Sequence, residues 1–235
     1  MNAMLYLHFD VQGALLEQAR QCEQDVFLRA FGNTPEQLAD EYGPYENQSL
    51  FIAVSDDAGY VYGCCRVILP GPAGLKTLND IGREPWLVDG ERAARAAGVD
   101  PTRAWDIGTL GVREGHRGPN MMVSLGLYHG ILKSTYINEV PSMLSVMDDH
   151  ARRVLGSFDY VYPALPGTGT ASYLGSGAST PVYCHASMLD VQRQLNPDAY
   201  RLLSLGIGLD GLSTPTDDEY RLASLVPALP GVAAA

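Results

Sequence analysis

The fold is decided by one stretch of the sequence, Trp105-Asp106-Ile107-Gly108-Thr109-Leu110-Gly111-Val112, and by the turn after it, Arg113-Glu114-Gly115-His116-Arg117-Gly118-Pro119-Asn120. The apolar residues of the first part predict a strand, and its two glycines are typical of a bulge or a close backbone approach. The second part is a basic glycine turn, and a helix is expected over 121–136. Strand, basic turn and helix N-terminus together suit a phosphate, because free N–H groups and the positive helix end converge there. The alternative is an ordinary strand-to-helix turn, since neither a P-loop nor the three-glycine dinucleotide fingerprint is present.

Composition narrows the class of protein. The chain has 235 residues and a formal net charge of −11, which argues against a nucleic-acid partner. None of its four cysteines forms a Cys-x2-Cys pair, so we expect reduced thiols and no metal site. We see no signal peptide and no apolar run of membrane-spanning length, so a cytoplasmic location is expected.

The pattern along the chain alternates helices and strands. We expect helices over 11–31, 150–155 and 189–203, and a short helix opened by Pro35 after a Thr34 cap. Strands are expected over 50–55, 60–69, 139–147 and 181–186, with a long loop over 163–179. This order predicts an α/β fold in which one mixed sheet has helices on both faces. Residues 1–211 are expected to form a single domain, and residues 212–235 a poorly ordered tail.

Several motifs, in the same order along the chain, resemble those of the acyl-homoserine-lactone synthases. They are a hairpin over 56–70 that ends in Arg66-Val67-Ile68-Leu69-Pro70, an acidic-aromatic loop over 41–46, and Trp105-Asp106-Ile107. The turn over 112–118 looks like the pyrophosphate loop of the wider GNAT acyltransferase superfamily. Related N-acyl amino acid synthases resemble the chain comparably well. The resemblance covers roughly residues 10–185 and implies a GNAT-like, splayed β-sheet.

The resemblance also implies a function. The expected reaction moves an acyl group from a pantetheine thioester, carried by coenzyme A or an acyl-carrier protein, to a small-molecule amine such as an amino acid. Acyl-CoA or acyl-phosphopantetheine would be a co-substrate, and no tightly bound cofactor is expected. The acyl-carrier protein is a candidate partner, and the oligomeric state is left open. Two alternatives are an acetyl-CoA-dependent GNAT acetyltransferase and a non-catalytic GNAT-like binding module.

The site residues follow from the same resemblance. The general base would be Asp106, or Glu46 if its loop folds over the site. Both could instead be capping or surface carboxylates. The thioester carbonyl would accept a hydrogen bond from the backbone of Leu110 or Gly111. The donor's phosphate would be held by Val112, Arg113, Arg117, Gly118 and Asn120. The substrates would contact Phe27, Tyr42, Tyr45, Arg66, Trp105 and Thr109. Because Arg66 lies in an apolar strand, it is expected to pair with Glu46 or Asp106.

The sequence departs from these synthases at positions around the acceptor. Where the family has two aspartates in its acidic loop, this chain has Gly43 and Glu46. Where the central strand of the family continues with a serine and an arginine, this chain has Gly108-Thr109. Leu155 stands where many GNAT enzymes place a tyrosine as acid. The acceptor is therefore expected to differ from that of the lactone synthases.

Overall fold

The computed structural model describes residues 4–114 and 120–223. In these ranges the strands are β1 (Leu5–His8), β2 (Ser49–Ser55), β3 (Val61–Ile68), β4 (Trp105–Val112), β5 (Ser142–Asp148), β6 (Ala171–Tyr173), β7 (Ser176–His185) and β8 (Leu212–Ser213). The helices are α1 (Gly13–Phe31), α2 (Pro35–Tyr42), α3 (Lys76–Ile81), α4 (Gly90–Ala97), α5 (Asn120–Ile137), α6 (Asp149–Ser157), α7 (Ala186–Leu195) and α8 (Pro197–Leu203). A 3-10 helix over Gly43–Gln48 joins α2 to β2.

The described strands form one mixed sheet in the order β6-β7-β5-β4-β3-β2-β1-β8. Strands β1 to β4 pair antiparallel in sequence order, and β5 pairs antiparallel with β7. Strands β4 and β5 are parallel and meet at the centre of the sheet. The helix between them, α5, makes the crossover that a parallel pair requires.

Helices cover both faces of the sheet, as the sequence pattern predicts. On one face, Cys22 of α1 packs with Phe51 and Cys64. On the other face, Leu127 of α5 packs with Ile52, the strand neighbour of Phe51. Successive strand residues point to opposite faces, so β2 is apolar on both sides.

Local signals in the sequence account for several element boundaries. Strand β4 spans the predicted residues, and Thr34 caps α2 in a capping box with Gln37. The helix expected over 189–203 is instead two helices, because Asn196 caps a new helix that Pro197 opens. The loop expected over 163–179 is partly a hairpin, in which β6 pairs with the first residues of β7.

The expectation of a poorly ordered tail from residue 212 is wrong for residues 212–223. Strand β8 pairs in parallel with β1, and Tyr220 is 0% exposed with its ring centroid 5.5 Å from that of Phe9. The side chain of Asn138 binds this segment through the Tyr220 carbonyl and the Leu222 N–H. An aromatic anchor and two backbone hydrogen bonds therefore outweigh the polar composition of 213–219. Residues 224–235 lie outside the described part.

None of the helices in the described ranges combines the length and the apolar character that a bilayer crossing requires. The four cysteines are buried and free.

Candidate active site

The central feature of the site is a gap between the two parallel strands. Strands β4 and β5 pair at Trp105 with Met143 and at Asp106 with Leu144, and among the described residues their pairing stops there. The Ser145 hydroxyl donates to the Ile107 carbonyl at 2.9 Å, just beyond the last pair. From this point the strands diverge around a cavity of about 370 Å³. The β5-facing edge of β4 therefore borders a cavity instead of a neighbouring strand.

The open edge carries the backbone of Leu110. The N–H of Arg113 donates to the Tyr62 carbonyl, so the backbone of Arg113 faces β3. Because consecutive residues of a strand direct their backbone groups to opposite edges, Gly111 also faces β3, while Val112 and Leu110 face the gap. Of the two expected carbonyl donors, the structure directs the N–H of Leu110 to the cavity side and that of Gly111 away from it.

The cavity crosses the sheet. On the α1 face it is lined by Phe27, Phe31 and Tyr42, and on the α5 face by Leu132 and Val154, among others. Most of these walls are apolar or aromatic side chains. A ligand could therefore lie along the β4 edge with parts on both faces of the sheet.

Formal charge is scarce on the cavity wall. Among the described lining residues the acidic and basic side chains are Asp148 and His150, and neither lysine nor arginine occurs. One Asp148 oxygen, Oδ1, accepts from the Ala151 N–H at 2.7 Å and so caps α6. The other oxygen, Oδ2, has no hydrogen-bond partner among the described residues. His150 is exposed at the first turn of the same helix.

Behind the cavity wall lies a buried ion-pair network centred on Arg66, which is 5% exposed. Its Nε and Nη2 donate to the two Glu23 oxygens at 3.0 and 2.7 Å, and its Nη1 donates to Glu46 at 2.7 Å. Glu46 also pairs with Arg20. The predicted pairing of Arg66 with Glu46 is confirmed, whereas a pairing with Asp106 is not found. Glu23, which the sequence analysis missed, lies on the apolar side of α1, four residues after the buried Ala19.

The expected bases are both outside the cavity lining. Asp106 is 0% exposed, and its carboxylate accepts from the Thr77 N–H at 2.6 Å and the Thr77 hydroxyl at 2.8 Å. Burial raises the pKa of Asp106 to about 6, against the opposing hydrogen bonds from Thr77. The pKa of Glu46 is lowered, because the hydrogen bonds and charges of Arg66 and Arg20 outweigh the effect of burial. Each carboxylate is thus committed to holding neighbouring elements together.

The expected phosphate-binding residues are only partly described. Val112 lines the cavity. Arg113 donates through Nη2 to Asp25 at 2.6 Å and through Nη1 to the Val61 carbonyl at 2.8 Å, while its buried Nε has no hydrogen-bond partner among the described residues. It borders a second, smaller cavity of about 320 Å³ next to α1. Arg117, Gly118 and the side chain of Asn120 lie outside the described residues.

The expected substrate contacts divide into two groups. Phe27, Tyr42 and Thr109 line the cavity. Tyr45, Arg66 and Trp105 do not: Tyr45 accepts a hydrogen bond from Asn79, and Trp105 stacks on Phe9. The lining residues that the sequence analysis missed come mainly from elements far apart in sequence, and they include Tyr128, Asp148, His150 and Tyr173. Within the described ranges, no group of three His, Cys, Asp or Glu side chains could hold a metal ion.

The fold is similar to that of an acyl-homoserine lactone synthase and an N-acyl amino acid synthase, as the motifs predicted, and the expected mixed, splayed sheet with helices on both faces is confirmed. The chain is similar to the structure of a CoA-dependent acyl-homoserine lactone synthase, BjaI, with SAM and isopentyl-CoA, at a TM-score of 0.58 and 15% identity over 93% of this chain and 97% of that one. It is also similar to FeeM, an N-acyl amino acid synthase from uncultured soil microbes, at a TM-score of 0.53 and 13% identity over 86% of this chain and 95% of that one. No protein-family model matches the sequence. No curated protein sequence matches it either.

Proposed function

We propose that this protein is an N-acyltransferase that moves an acyl group from a pantetheine thioester to a small-molecule amine such as an amino acid. The observation that carries the proposal is the open β4 edge inside a largely apolar cavity that crosses the sheet. The similar structure of BjaI was determined with an acyl-CoA, and FeeM is described as an N-acyl amino acid synthase. The thioester would lie along β4, with its acyl chain and its pantetheine arm on either side of the gap.

The chemistry requires an oxyanion donor and a route for a proton. The amine nitrogen attacks the thioester carbonyl, the C–N bond forms, the C–S bond breaks and the thiol leaves. The Leu110 N–H would stabilise the carbonyl oxygen as it becomes negative. We assign removal of the amine proton to His150, because it lines the cavity and the expected bases Asp106 and Glu46 do not.

The cavity favours an acyl group longer than acetyl. Its volume of about 370 Å³ falls in the usual range of ligand pockets, roughly 300–1,000 Å³. Ile131, Leu132 and Val154 contribute apolar wall on the α5 face. Burying methylene groups against such a wall is favourable, by about 0.8 kcal/mol for each group.

The donor's carrier is proposed to be coenzyme A or an acyl-carrier protein, with the phosphate at the basic turn that holds Arg117 and Gly118. The donor acts as a co-substrate and no cofactor stays bound. Because these donors are made in the cytoplasm, we place the activity there.

The test is a donor series with matched variants on α6. Acyl-CoA and acyl-carrier-protein donors from acetyl to long chains are incubated with a mixture of amines and amino acids, and acyl amides are detected by mass spectrometry. Val154→Trp fills the cavity and is expected to lower kcat/KM for a long-chain donor about tenfold or more, with a smaller effect on acetyl transfer. Arg153→Trp is the control, because the neighbouring Arg153 side chain is 70% exposed.

The outcomes separate the candidate functions. Acyl amides from long-chain donors, with Val154→Trp selectively impaired, support the proposal. Transfer restricted to acetyl-CoA would indicate the small-acyl acetyltransferase. Binding of acyl donors without any amide product would indicate a non-catalytic module.

A further inference from the structure

The charge of the candidate active site restricts the acceptor. We infer that the acceptor is an amine that carries no carboxylate, such as a monoamine or diamine, and that Asp148 binds its ammonium group. This inference rests on the proposed acyl transfer and narrows its acceptor class from small-molecule amines that include amino acids to amines without a carboxylate. It runs against the simplest extrapolation from an N-acyl amino acid synthase, whose acceptor has a carboxylate by definition.

The wall of the cavity disfavours a carboxylate. Among the described lining residues no side chain carries a permanent positive charge, while Asp148 carries a negative one. An amino-acid carboxylate bound here would be desolvated without a cationic partner, which is costly. An ammonium group would instead meet Oδ2 of Asp148, which has no hydrogen-bond partner in the described part of the chain, whereas Oδ1 accepts from the Ala151 N–H.

The buried cations next to the cavity, Arg66 and Lys76, are already paired with carboxylates. Arg66 pairs with Glu23 and Glu46, as described above. Lys76 lies beside Tyr173 of the cavity wall, and it pairs with Glu41 and Asp80 at 2.7 Å each. With Arg20, which also pairs with Glu46, three cations face four carboxylates, which leaves this set with a net charge of −1.

Both buried cations are also screened from the cavity by an aromatic ring. The Arg66 Cζ atom lies 5.1 Å and the Lys76 Nζ atom 5.0 Å from the centroid of the Tyr42 ring, and Tyr42 lines the cavity. Neither Arg66 nor Lys76 is part of the lining itself. The electrostatic potential that this cluster produces in the cavity is therefore negative, because its carboxylates outnumber its cations.

The arginines of α6 do not supply the missing charge. Arg152 and Arg153 lie within 4 Å of the Asp149 carboxylate, at 3.9 and 3.7 Å, and Arg152 also donates to the Thr180 hydroxyl at 3.1 Å. Neither belongs to the described cavity lining.

The test compares acceptors that differ by the carboxylate alone. With one long-chain acyl-CoA donor, kcat/KM is measured for tyrosine, tyrosinamide and tyramine, and for ornithine and putrescine. We expect each carboxylate-free amine to exceed its amino acid by about tenfold or more. Tyrosinamide controls for size, because its amide replaces the carboxylate at nearly constant shape, and it should behave like tyramine.

A substitution at Asp148 tests the assigned ligand. Asp148→Asn keeps a good helix cap and removes the charge, so we expect KM for putrescine to rise about tenfold and the preference for the amine over the amino acid to shrink. If tyrosine and ornithine are better acceptors than tyrosinamide and putrescine, the inference is overturned although acyl transfer stands. If tyramine is preferred but Asp148→Asn leaves KM unchanged, Asp148 is not the ligand. Amide formation with none of the amines or amino acids would instead defeat the proposed function itself.

Discussion

The two edges of β4 differ in how the same strand is used. Its β3-facing edge is paired from Asp106 with Ile68 to Val112 with Gly63, interrupted by one irregularity next to Arg66. Its β5-facing edge is paired at Trp105 and Asp106 and then opens onto the cavity. Charged side chains are concentrated on the β3 side of β4, where Arg66 pairs with Glu23 and Glu46. They are sparse around the cavity that the open edge borders.

This difference separates structural charge from functional charge. Polar groups behind the paired edge satisfy one another: Glu23 binds both Arg66 and the Thr109 hydroxyl. Backbone groups on the open edge, such as the Leu110 N–H, have no neighbouring strand among the described residues with which to form hydrogen bonds. The charged residues that stand out in the sequence are therefore mainly structural, and the cavity is lined mostly by backbone and apolar side chains, together with Asp148 and His150.

The largest expected effect comes from breaking the network behind the paired edge. Glu23→Gln removes the charge that both Nε and Nη2 of Arg66 bind, and Glu23 is 3% exposed. Breaking a buried ion pair by neutralising one partner costs about 3–5 kcal/mol, so the free energy of unfolding should fall by about that much. Urea denaturation measures it.

The matched control for this variant lies on the same helix. Glu17→Gln removes a carboxylate that is 68% exposed and pairs with Arg20. We expect its effect to stay within about 0.5 kcal/mol. Equal effects of the two substitutions would show that the Arg66 network contributes no more than a surface pair, and the contrast between the edges would fail.

The next effect is a pH dependence at the point where both edges of β4 are still paired. Burial raises the pKa of Asp106 from 3.8 to about 6. Between these values the folded state binds a proton that the unfolded state does not, so this group makes stability fall as pH rises from about 4 to about 6. The contribution is up to about 3 kcal/mol, at about 1.4 kcal/mol for each pKa unit.

The comparison with Asp106→Asn isolates this contribution. Asparagine cannot titrate, so the variant does not lose this stability as pH rises. The unfolding free energy of the variant minus that of the wild type should therefore increase by up to that amount as pH rises from about 4 to about 6. Chemical denaturation at pH 4, 5, 6 and 7 measures both proteins. A constant difference between them would mean that Asp106 titrates alike in the folded and unfolded states.

The fold could be predicted from the sequence because it depends on local patterns of residues. The strand 105–112 could be predicted from its apolar residues and α2 from Thr34 and Pro35, and the similarity in fold to the lactone synthases from motifs in a fixed order. The position of Glu23 could have been found too, since it follows Ala19 by four residues on the apolar side of α1. A charged residue at a core position indicates a buried partner of opposite charge, and Arg66 was the obvious candidate for the partner of Glu23.

The candidate site could be predicted less well from the sequence, because it depends on which residues are close in the tertiary structure. Asp106 and Glu46 have the right chemistry for a base, but Thr77 and Arg66 occupy them, and no sequence spacing shows this. The direction of the Leu110 N–H depends on the register between β3 and β4. Residues such as Asp148 and Tyr173 reach the cavity from elements that only the tertiary structure brings together.

The smallest effect tests Tyr42, a side chain that lies between the cavity and the Arg66 network. The Tyr42 hydroxyl donates to the Gly108 carbonyl at 2.9 Å, while its ring lines the cavity and covers Arg66. Tyr42→Phe removes the hydrogen bond and keeps the ring, so the unfolding free energy should fall by about 0.5–1.5 kcal/mol, with acyl transfer changed by no more than a few-fold. Tyr45→Phe is the control, because its hydroxyl accepts from Asn79 and lies outside the cavity lining. A large loss of activity in Tyr42→Phe alone, at unchanged stability, would mean that the hydroxyl contacts a substrate and that functional polar groups do occur at the boundary between the two edges.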